Sequence, residues 1–362
     1  MKLGGEQIEM NIITLTGIRP DFIRMSEVFR KLDADPSINH ILIHTGQHFD
    51  SLLSGVFFEE LDIRTPDYNL EIGGPGKEHF HQIAELTVKL IELIRKEDLN
   101  PHWIVFLGDS NSVMVAPSLK KEGYKVAHIE AGMRSRDGRM LEEINRIVCD
   151  HSSELLFTYH EDYTENLCKE GIPRYKTLCV GNTIVEVANR FKPEICAKPK
   201  KEDFILLDIH RPENFKDPVR LQAIFDITQI LSDTYGLPCT SLQFPRTYSF
   251  VSQFGIDTGS TQPVELMPYK KYLSSVYHAK FLISDSGTAQ EEPALFRTPV
   301  LVPREFTERP QSYHTFCSRK LEIFTTRLKD TESYIDTASV KMNNKWLGQG
   351  RSSLEILRGL KA

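Results

Sequence analysis

The stretch I-S-D-S-G-T-A-Q-E-E-P, from Ile283 to Pro293, directly follows a short apolar run that begins at Ala279. A strand that ends in small and acidic residues and then opens into a helix directs free backbone N–H groups and a positive dipole end toward whatever lies above the sheet. Such a turn suits a diphosphate, and Glu291 and Glu292 can accept hydrogen bonds from sugar hydroxyls. The stretch therefore predicts an α/β sheet that binds a nucleotide by its phosphates and ribose.

Strands alternate with helices on the N-terminal side of this stretch. Apolar residues recur on one helical face at 22–32 and 80–94, and strand-like runs occupy 11–16, 41–44, 103–107, 126–129 and 155–158. The pattern returns at 204–209, 218–234, 239–242, 269–277, 280–283 and 300–302. Strands separated by helices form parallel sheets. The predicted fold class is α/β, with two Rossmann-like domains and an interdomain cleft as the expected active site.

Length and composition limit the class of protein. The chain has 362 residues, enough for two domains, and we expect their join near 191–201, which contains Pro193, Pro199 and three lysines. With 40% hydrophobic and 26% charged residues and a net charge of -6, the chain is typical of a globular protein that binds no nucleic acid. Its sequence has no signal-peptide pattern and no long apolar run, so we expect a cytoplasmic protein that does not bind membranes. The six cysteines form no C-x-x-C pair, which favours reduced thiols and no metal site.

Polar residues follow each predicted main strand, where an open α/β sheet binds its ligand. Taken singly, an Asp or Ser there is usually a helix N-cap. Arg19 could instead be a surface residue, His210 a strand cap, and Glu142 with Glu143 the exposed first turn of a helix. Six polar strand ends together are harder to explain as caps. They lie at 16–20, 45–48, 108–112, 128–132, 208–214 and 284–287.

Asp109 and Glu130 follow two strands that we expect to be neighbours. Two carboxylates that share one cleft raise the pKa of at least one of them toward the range useful for proton transfer. Arg19 directly follows the first strand, where a guanidinium is well placed to bind a phosphate. These residues predict acid and base chemistry beside a phosphate site.

Seven motifs run in order almost from end to end of the chain. They are T-G-I-R-P-D at 16–21, H-I-E-A-G-M-R at 128–134, E-E-I-N-R at 142–146, G-N-T at 181–183, H-R-P-E-N at 210–214, S-D-S-G-T-A-Q-E-E at 284–292 and T-E-R-P at 307–310. As an ordered set they resemble the UDP-N-acetylglucosamine 2-epimerase family. The resemblance implies a homodimer with a fold similar to that of two-domain glycosyltransferases of the B type. It divides the chain into an N-terminal domain at 1–190, a UDP-binding domain at 191–345 and a C-terminal helix at 346–362 that returns to the first domain.

The resemblance also implies roles for the matching positions. It makes Asp109, Glu130 and Glu142 catalytic carboxylates and His210 the catalytic histidine, and we assign proton transfer to Asp109 and Glu130. Within the binding set, Ser286 and Gly287 are expected at the phosphates, Glu292 at the ribose and Tyr272 at the uracil. The full set expected to contact a UDP-sugar is Arg19, Arg24, Arg146, Met267, Tyr272, Ser286, Gly287, Glu292 and Arg309.

The reaction implied is inversion at C2 of a UDP-N-acetylhexosamine. Its C2 proton has no neighbouring carbonyl, so the reaction needs either a transient ketone or a leaving group at C1. The sequence has no convincing G-x-G-x-x-G fingerprint for a nicotinamide, and we expect no cofactor. The remaining route eliminates UDP to a 2-acetamidoglucal and adds UDP back, which needs an acid, a base and a grip on the diphosphate.

Departures from the family pattern refine this expectation. Pro20 is typical of the non-hydrolysing branch, which returns the UDP-sugar, rather than of the branch that releases UDP and N-acetylmannosamine. Arg24, Met267 and Thr288 replace the usual Lys, Gln and Gly. Thr288 and the T-G-Q and V-F-F-x-x-L segments within 45–61 resemble enzymes of UDP-N-acetyl-6-deoxyhexosamines, such as UDP-L-QuiNAc, UDP-L-RhaNAc or a UDP-L-FucNAc precursor. UDP-GlcNAc and UDP-ManNAc remain alternative substrates. A hydrolysing epimerase, a glycosyltransferase of similar fold and a silent UDP-sugar-binding protein remain alternatives.

A second, allosteric UDP-sugar site of bacterial non-hydrolysing enzymes has a His before Pro-Arg-Thr. Here Phe244 precedes Pro245, and Asp50 replaces a common Gln. We therefore expect no working allosteric site of that kind.

Overall fold

The computed structural model describes residues 10–46, 58–74, 78–325 and 327–362. The chain divides into two units. The first unit comprises Met1–Val187 and Leu347–Ala362, and the second comprises Ala188–Trp346. Asp50 and most of the V-F-F segment lie outside the described residues.

Parallel strands in the order β3-β2-β1-β4-β5-β6-β7 form the sheet of the first unit. Helices cover both faces of a parallel sheet, so both sides of its central strands are buried, and this explains why those strands are almost continuous apolar runs. The order reverses between β1 and β4, and ligands bind at such a switch point. The strands are β1 (Met10–Thr16), β2 (Ile38–His44), β3 (Tyr68–Asn69), β4 (Trp103–Leu107), β5 (Val126–Ile129), β6 (Leu155–Thr158) and β7 (Thr177–Cys179).

Helices that connect these strands cover the sheet with apolar faces. In α2 (His79–Lys96), Leu86, Leu90 and Ile94 are buried at the helical spacing that the sequence indicated. The helices up to the unit boundary are α1 (Arg19–Ala34), α2 (His79–Lys96), α3 (Ala116–Lys121), α4 (Leu141–Ser152), α5 (Glu161–Lys169) and α6 (Ile184–Ile195), with 3-10 turns at Asn111–Val115 and Arg174–Lys176.

The boundary between the units, at Val187 and Ala188, lies inside α6. The segment 191–201, near which we expected the join, therefore begins as helix. Phe191 and Ile195 are both buried, and their packing outweighs the cost of Pro193 in the last turn.

The second unit repeats the architecture with strands in the order β10-β9-β8-β11-β12-β13, all parallel. The switch point lies between β8 and β11, where Asp208 pairs in register with Ser284. The strands are β8 (Ile205–Asp208), β9 (Cys239–Leu242), β10 (Gln262–Val264), β11 (Phe281–Ser284), β12 (Val300–Val302) and β13 (Arg319–Lys320). The two parallel α/β sheets confirm the predicted fold class.

The remaining helices complete the chain. The last of them, α14 (Ser352–Lys361), belongs to the first unit and packs against α1. No helix in the described ranges is long and apolar enough to cross a bilayer. The helices are α7 (Pro212–Phe215), α8 (Pro218–Tyr235), α9 (Pro245–Phe254), α10 (Tyr269–His278), α11 (Glu292–Leu295), α12 (Pro310–His314), α13 (Leu328–Lys341) and α14 (Ser352–Lys361), with 3-10 turns at Thr288–Gln290 and Asn344–Leu347.

Candidate active site

Asp109 follows β4 and is held from its buried side by α4. Arg146 forms an ion pair with the Asp109 carboxylate, and the Asn145 side-chain amide donates to the Asp109 carbonyl oxygen at 2.8 Å. Arg146 is 1% exposed, whereas 26% of the Asp109 side chain is exposed. The carboxylate is therefore fixed in position and still accessible.

Glu130 follows β5, the neighbour of β4, and Leu107 pairs in register with Ile129. The two strand ends that carry Asp109 and Glu130 are thus adjacent. Glu130 has a φ of 72°, which is strained for a residue with a side chain and clusters at functional sites. Its carboxylate forms a buried ion pair with Arg24 of α1. Both predicted proton-transfer residues therefore face a buried arginine.

The buried His128 ring forms hydrogen bonds that link the loop after β4 to α4. Its Nδ1 lies 2.7 Å from Asp150 Oδ1 and its Nε2 lies 2.8 Å from the Gly108 carbonyl oxygen. Asp150 Oδ2 accepts from the Gly132 backbone N–H at 3.1 Å and lies 2.8 Å from Arg134 Nη1. Since both ring nitrogens face acceptors, both donate, and the ring is an imidazolium.

The charges in this cluster stabilise one another. Burial disfavours a charged His128, but the Cys149 sulfur and the Asp150 carboxylate raise its pKa well above 6.5. Burial also opposes a charged Asp150, yet His128 and Arg134 lower the pKa of that carboxyl. The cluster supports the Asp109 and Glu130 loops from below.

Gly132 is the position in this loop where the backbone leaves no room for a side chain. It has a φ of +78°, and a Cβ there would lie 2.3 Å from the carbonyl oxygen of Tyr163. The H-I-E-A-G-M-R motif thus combines a strained Glu130 with a close backbone approach.

Asp21 is a titratable group that our sequence analysis did not assign. Its Oδ2 accepts from the backbone N–H groups of Gly17 and Ile18 at 3.1 and 3.3 Å. Burial raises its pKa to about 7; the two N–H groups and Arg24 oppose this increase, and the charge of Asp109 adds to it. A carboxyl that titrates near neutral pH therefore neighbours the predicted catalytic carboxylate.

Glu142 and Glu143 differ although they are adjacent in the first turn of α4. Glu143 is buried and accepts from the Ser135 and Arg136 backbone N–H groups, both at 2.9 Å. It therefore holds the loop that precedes α4. Glu142 and Arg19 are both half-buried, each near the start of its helix.

In the second unit, the turn after β11 is compact and polar. The Ser286 backbone N–H donates to Ser284 Oγ at 3.1 Å, and the Ser286 and Thr288 hydroxyls lie 3.0 Å apart. The helix expected to open here is a 3-10 turn at Thr288–Gln290 followed by the four-residue α11. The expected helix dipole is therefore small, and the polar atoms of the turn carry the binding potential.

Gly287 lies directly above Arg309. A Cβ at Gly287 would lie 2.7 Å from Arg309 Nη1. Arg309 is buried and pairs with Glu308 and, at 2.5 Å, with Glu291 Oε1. Glu291 is fully buried in this pair, and its contact with sugar hydroxyls stays a prediction.

Glu292 accepts a hydrogen bond from the Tyr269 hydroxyl at 2.7 Å and is almost fully buried. Tyr269 begins α10, which also carries the buried Tyr272. Met267 precedes this helix, and its sulfur accepts from Ser275 Oγ at 3.4 Å. The sequence analysis named Tyr272 and missed Tyr269, although both aromatic residues lie on one turn of helix.

His210 follows β8 beside two buried carboxylates. Its Nδ1 lies 3.0 Å from Asp208 Oδ1 and 3.5 Å from Asp285 Oδ1. These three side chains have ligand atoms within 4.8 Å of one another, a spacing that would also suit a cation. Asp285 already accepts from two backbone N–H groups and from Asn214, so we assign the group to hydrogen bonding.

The chain matches the family model of UDP-N-acetylglucosamine 2-epimerase over residues 30–361. This chain belongs to the UDP-N-acetylglucosamine 2-epimerase family. The family membership that the motifs indicated is thereby confirmed.

Individual members of the family are similar in sequence to this chain over most of its length. A UDP-N-acetylglucosamine 2-epimerase of Methanococcus maripaludis is 34% identical over 82% of this chain and 84% of its own length. A UDP-2,3-diacetamido-2,3-dideoxy-D-glucuronate 2-epimerase of Pseudomonas aeruginosa is 33% identical over 83% and 84%. The crystal structure of the Methanocaldococcus jannaschii UDP-GlcNAc 2-epimerase with UDP-GlcNAc and UDP is 30% identical, covers 97% of this chain and 99% of its own, and superposes with a TM-score of 0.87.

Proposed function

We propose that this epimerase is a non-hydrolysing 2-epimerase of a UDP-N-acetylhexosamine that works by elimination and re-addition of UDP. The observation that carries the proposal is the pair of carboxylates at adjacent strand ends, Asp109 and Glu130, each paired with a buried arginine. Two carboxylates fixed side by side supply the acid and the base that inversion at C2 requires.

In the proposed reaction one carboxylate takes the C2 proton while the bond between C1 and oxygen breaks. The electron pair of that bond leaves with UDP, and a double bond forms between C1 and C2 of the 2-acetamidoglucal. A second group then delivers a proton to the opposite face of C2 as UDP adds back at C1. Asp109 and Glu130 exchange these protons, while Glu142 and His210 complete the catalytic set.

The second unit binds the UDP in this proposal. Ser286 and Gly287 contact the diphosphate, since the turn after β11 presents hydroxyl groups and a residue without a side chain. Glu292, which accepts a hydrogen bond from the Tyr269 hydroxyl, contacts the ribose. The remaining proposed contacts are Arg19, Arg24, Arg146, Met267, Tyr272 and Arg309.

The sugar is the least constrained part of the proposal. Thr288 in place of the usual Gly favours a UDP-N-acetyl-6-deoxyhexosamine, and its hydroxyl is engaged with Ser286 at 3.0 Å. The Methanococcus maripaludis relative acts on UDP-N-acetylglucosamine and the Pseudomonas aeruginosa relative on a diacetamido uronate sugar. All three sugar classes therefore belong in the test.

The test incubates the enzyme with each UDP-sugar in heavy water and follows the sugar protons by NMR. Deuterium at C2 with UDP retained on both epimers supports the proposal. Free sugar with UDP places the chain in the hydrolysing branch, and sugar transferred to an added acceptor identifies a glycosyltransferase. If no donor exchanges its C2 proton, the chain is not an epimerase of these sugars. Asp109→Asn is the matched variant, and it should lose exchange while its affinity for UDP changes only a few fold.

We also propose that the chain forms a homodimer through the first unit. Leu141, Ile144 and Ile147 form an exposed apolar stripe along α4. Phe80 and Val88 of α2 are also exposed, and α2 and α4 both pack on the 3-10 turn Asn111–Val115. Apolar patches of this kind mark association surfaces.

A further inference from the structure

His210 is held by two different carboxylates, one for its backbone and one for its ring. The His210 backbone N–H donates to Asp285 Oδ1 at 2.9 Å, and the Arg211 backbone N–H donates to Asp285 Oδ2 at 3.0 Å. Asp285 also accepts from Asn214 Nδ2 at 2.9 Å and is fully buried. Asp285 therefore fixes the position of the loop after β8.

Asp208 contacts the ring itself. Its Oδ1 lies 3.0 Å from His210 Nδ1, and its Oδ2 accepts from Ser284 Oγ at 3.0 Å. Asp208 is 3% exposed, and its strand position is in register with Ser284 of β11. This carboxylate is held on both sides and has little freedom to turn away from the histidine.

This pairing determines which ring nitrogen is left for chemistry. An ionised carboxylate only accepts, so the proton on Nδ1 must point at Asp208. Within residues 78–325 the hydrogen bond and ion pairs of the His210 ring use Nδ1, which leaves Nε2 for a ligand. The side chain is 30% exposed, so a ligand can reach it. The Phe244 ring lies 4.9 Å from the imidazole and limits its rotation.

The position of His210 suits a leaving diphosphate. Asp208 and Ser284 pair across neighbouring strands, so the loop with His210 and the turn with Ser286 and Gly287 emerge at the same edge of the second sheet. Asp285, which precedes Ser286 in that turn, also binds the His210 backbone. The positive charge of a protonated His210 ring would therefore lie beside the proposed phosphate contacts.

We propose that Asp208 is a positioning residue that orients His210 Nε2 toward the departing UDP and keeps the imidazole protonated through the reaction. The inference rests on the proposed function. As the bond between C1 and oxygen breaks, its electron pair moves onto UDP, and the His210 imidazolium stabilises the added negative charge without giving up its proton. When UDP adds back at C1, the added negative charge on UDP is lost again.

The electrostatics of the site agree with this role. Burial disfavours the charged ring, but the carboxylates of Asp285 and Asp208 outweigh it and raise the pKa of His210 above 6.5, with Arg211 opposing them. Asp208 thus acts on the ring by charge as well as by its hydrogen bond.

The test compares Asp208→Asn with the wild-type enzyme by NMR titration of carbon-labelled histidine, with His210→Gln used to assign the signal. Asn preserves size but removes the charge, so we expect the pKa of His210 to fall by about one pH unit or more. Asp330→Asn, an exposed residue of the second unit, is the matched control and should leave it unchanged. Ser284→Ala should give a smaller decrease, because it removes only the hydrogen bond to Asp208.

The same variants are then assayed for epimerisation across pH. Asp208→Asn should move the alkaline limb of the kcat/KM profile to lower pH by the same amount as the NMR value, because both report the free enzyme. An unchanged His210 pKa overturns the proposal, and so does a lowered pKa without any movement of the rate profile. The titration needs no turnover, so a wild-type chain that epimerises no UDP-sugar would refute the proposed function and leave the pairing of Asp208 with His210 to be decided separately.

Discussion

Arg146 pairs with the Asp109 carboxylate from the buried side of the first unit, where the guanidinium is 1% exposed. Removing a buried partner leaves an uncompensated charge, so Arg146→Met should lower the free energy of unfolding by about 3 kcal/mol. It should also reduce kcat/KM by a factor of about 100, because Asp109 loses the group that fixes it.

The matched control for this change is Arg95→Met. Arg95 also pairs with a carboxylate, that of Glu122, but it is 62% exposed, and such pairs contribute about 0.5 kcal/mol. Steady-state kinetics and urea unfolding measure both variants. Wild-type activity in Arg146→Met would remove this ion pair from the mechanism.

Gly287→Ala tests the turn that we assign to the diphosphate. The new Cβ would lie 2.7 Å from Arg309 Nη1 and must displace that side chain or the turn. We expect the Kd for UDP, measured by calorimetry, to rise by about tenfold or more, equivalent to about 1.4 kcal/mol. Gly138→Ala is the control, since its Cβ would meet nothing within 4 Å. Equal affinities in the two variants would place the phosphates elsewhere.

His128 should make the stability of the first unit depend on pH. A histidine whose folded pKa is raised stabilises fully below the unfolded value of 6.5, and this contribution is lost as pH rises through the folded pKa. Between pH 6.5 and the folded pKa we expect the free energy of unfolding to fall by up to about 1.4 kcal/mol per pH unit. Asp150, with its lowered pKa, contributes in the opposite sense, and its share is lost as pH falls below 3.8.

The measurement uses Trp103 fluorescence in a Trp346→Phe background, since the two tryptophans lie in separate units. His128→Asn should be less stable than wild type at pH 6, and the difference should shrink toward about pH 9. His81→Asn, at a side chain 60% exposed, should reproduce the wild-type slope. A slope that survives in His128→Asn would have to come from another group.

Ile144→Asp tests the proposed dimer. Ile144 lies at the centre of the exposed apolar stripe of α4, and a charge there should oppose its burial by a second copy. Light scattering after gel filtration should give twice 41.5 kDa for wild type and a single chain for the variant. Val340→Asp, at an 83% exposed side chain of the second unit, should stay dimeric. A monomeric wild type would contradict the dimer.

Local sequence patterns predicted the central strands of both sheets and several of the helices, because apolar periodicity and polar strand ends are properties of neighbouring residues. Trp103–Leu107 and Val126–Ile129 were predicted with the observed bounds. The adjacent positions of Asp109 and Glu130 followed from the order of the strands.

What the sequence did not predict depends on partners brought together by the fold. Glu291 and Glu292 are neighbours, yet one pairs with Arg309, 18 residues away, and the other with Tyr269, 23 residues away. The raised pKa of Asp21 depends on burial and on Asp109, which the pairing of β1 with β4 brings close. Neither relationship can be read from spacing along the chain.

Cleavage and re-formation of the bond between C1 and the UDP oxygen is the central claim, and isotope movement tests it most directly. The enzyme is incubated with the UDP-sugar that exchanges its C2 proton, carrying oxygen-18 in the bridge between C1 and the β-phosphate, and phosphorus NMR follows the label. Elimination and re-addition predict that the label spreads into the non-bridging positions of the β-phosphate as epimers form. Epimerisation with the label retained wholly in the bridge would contradict the account.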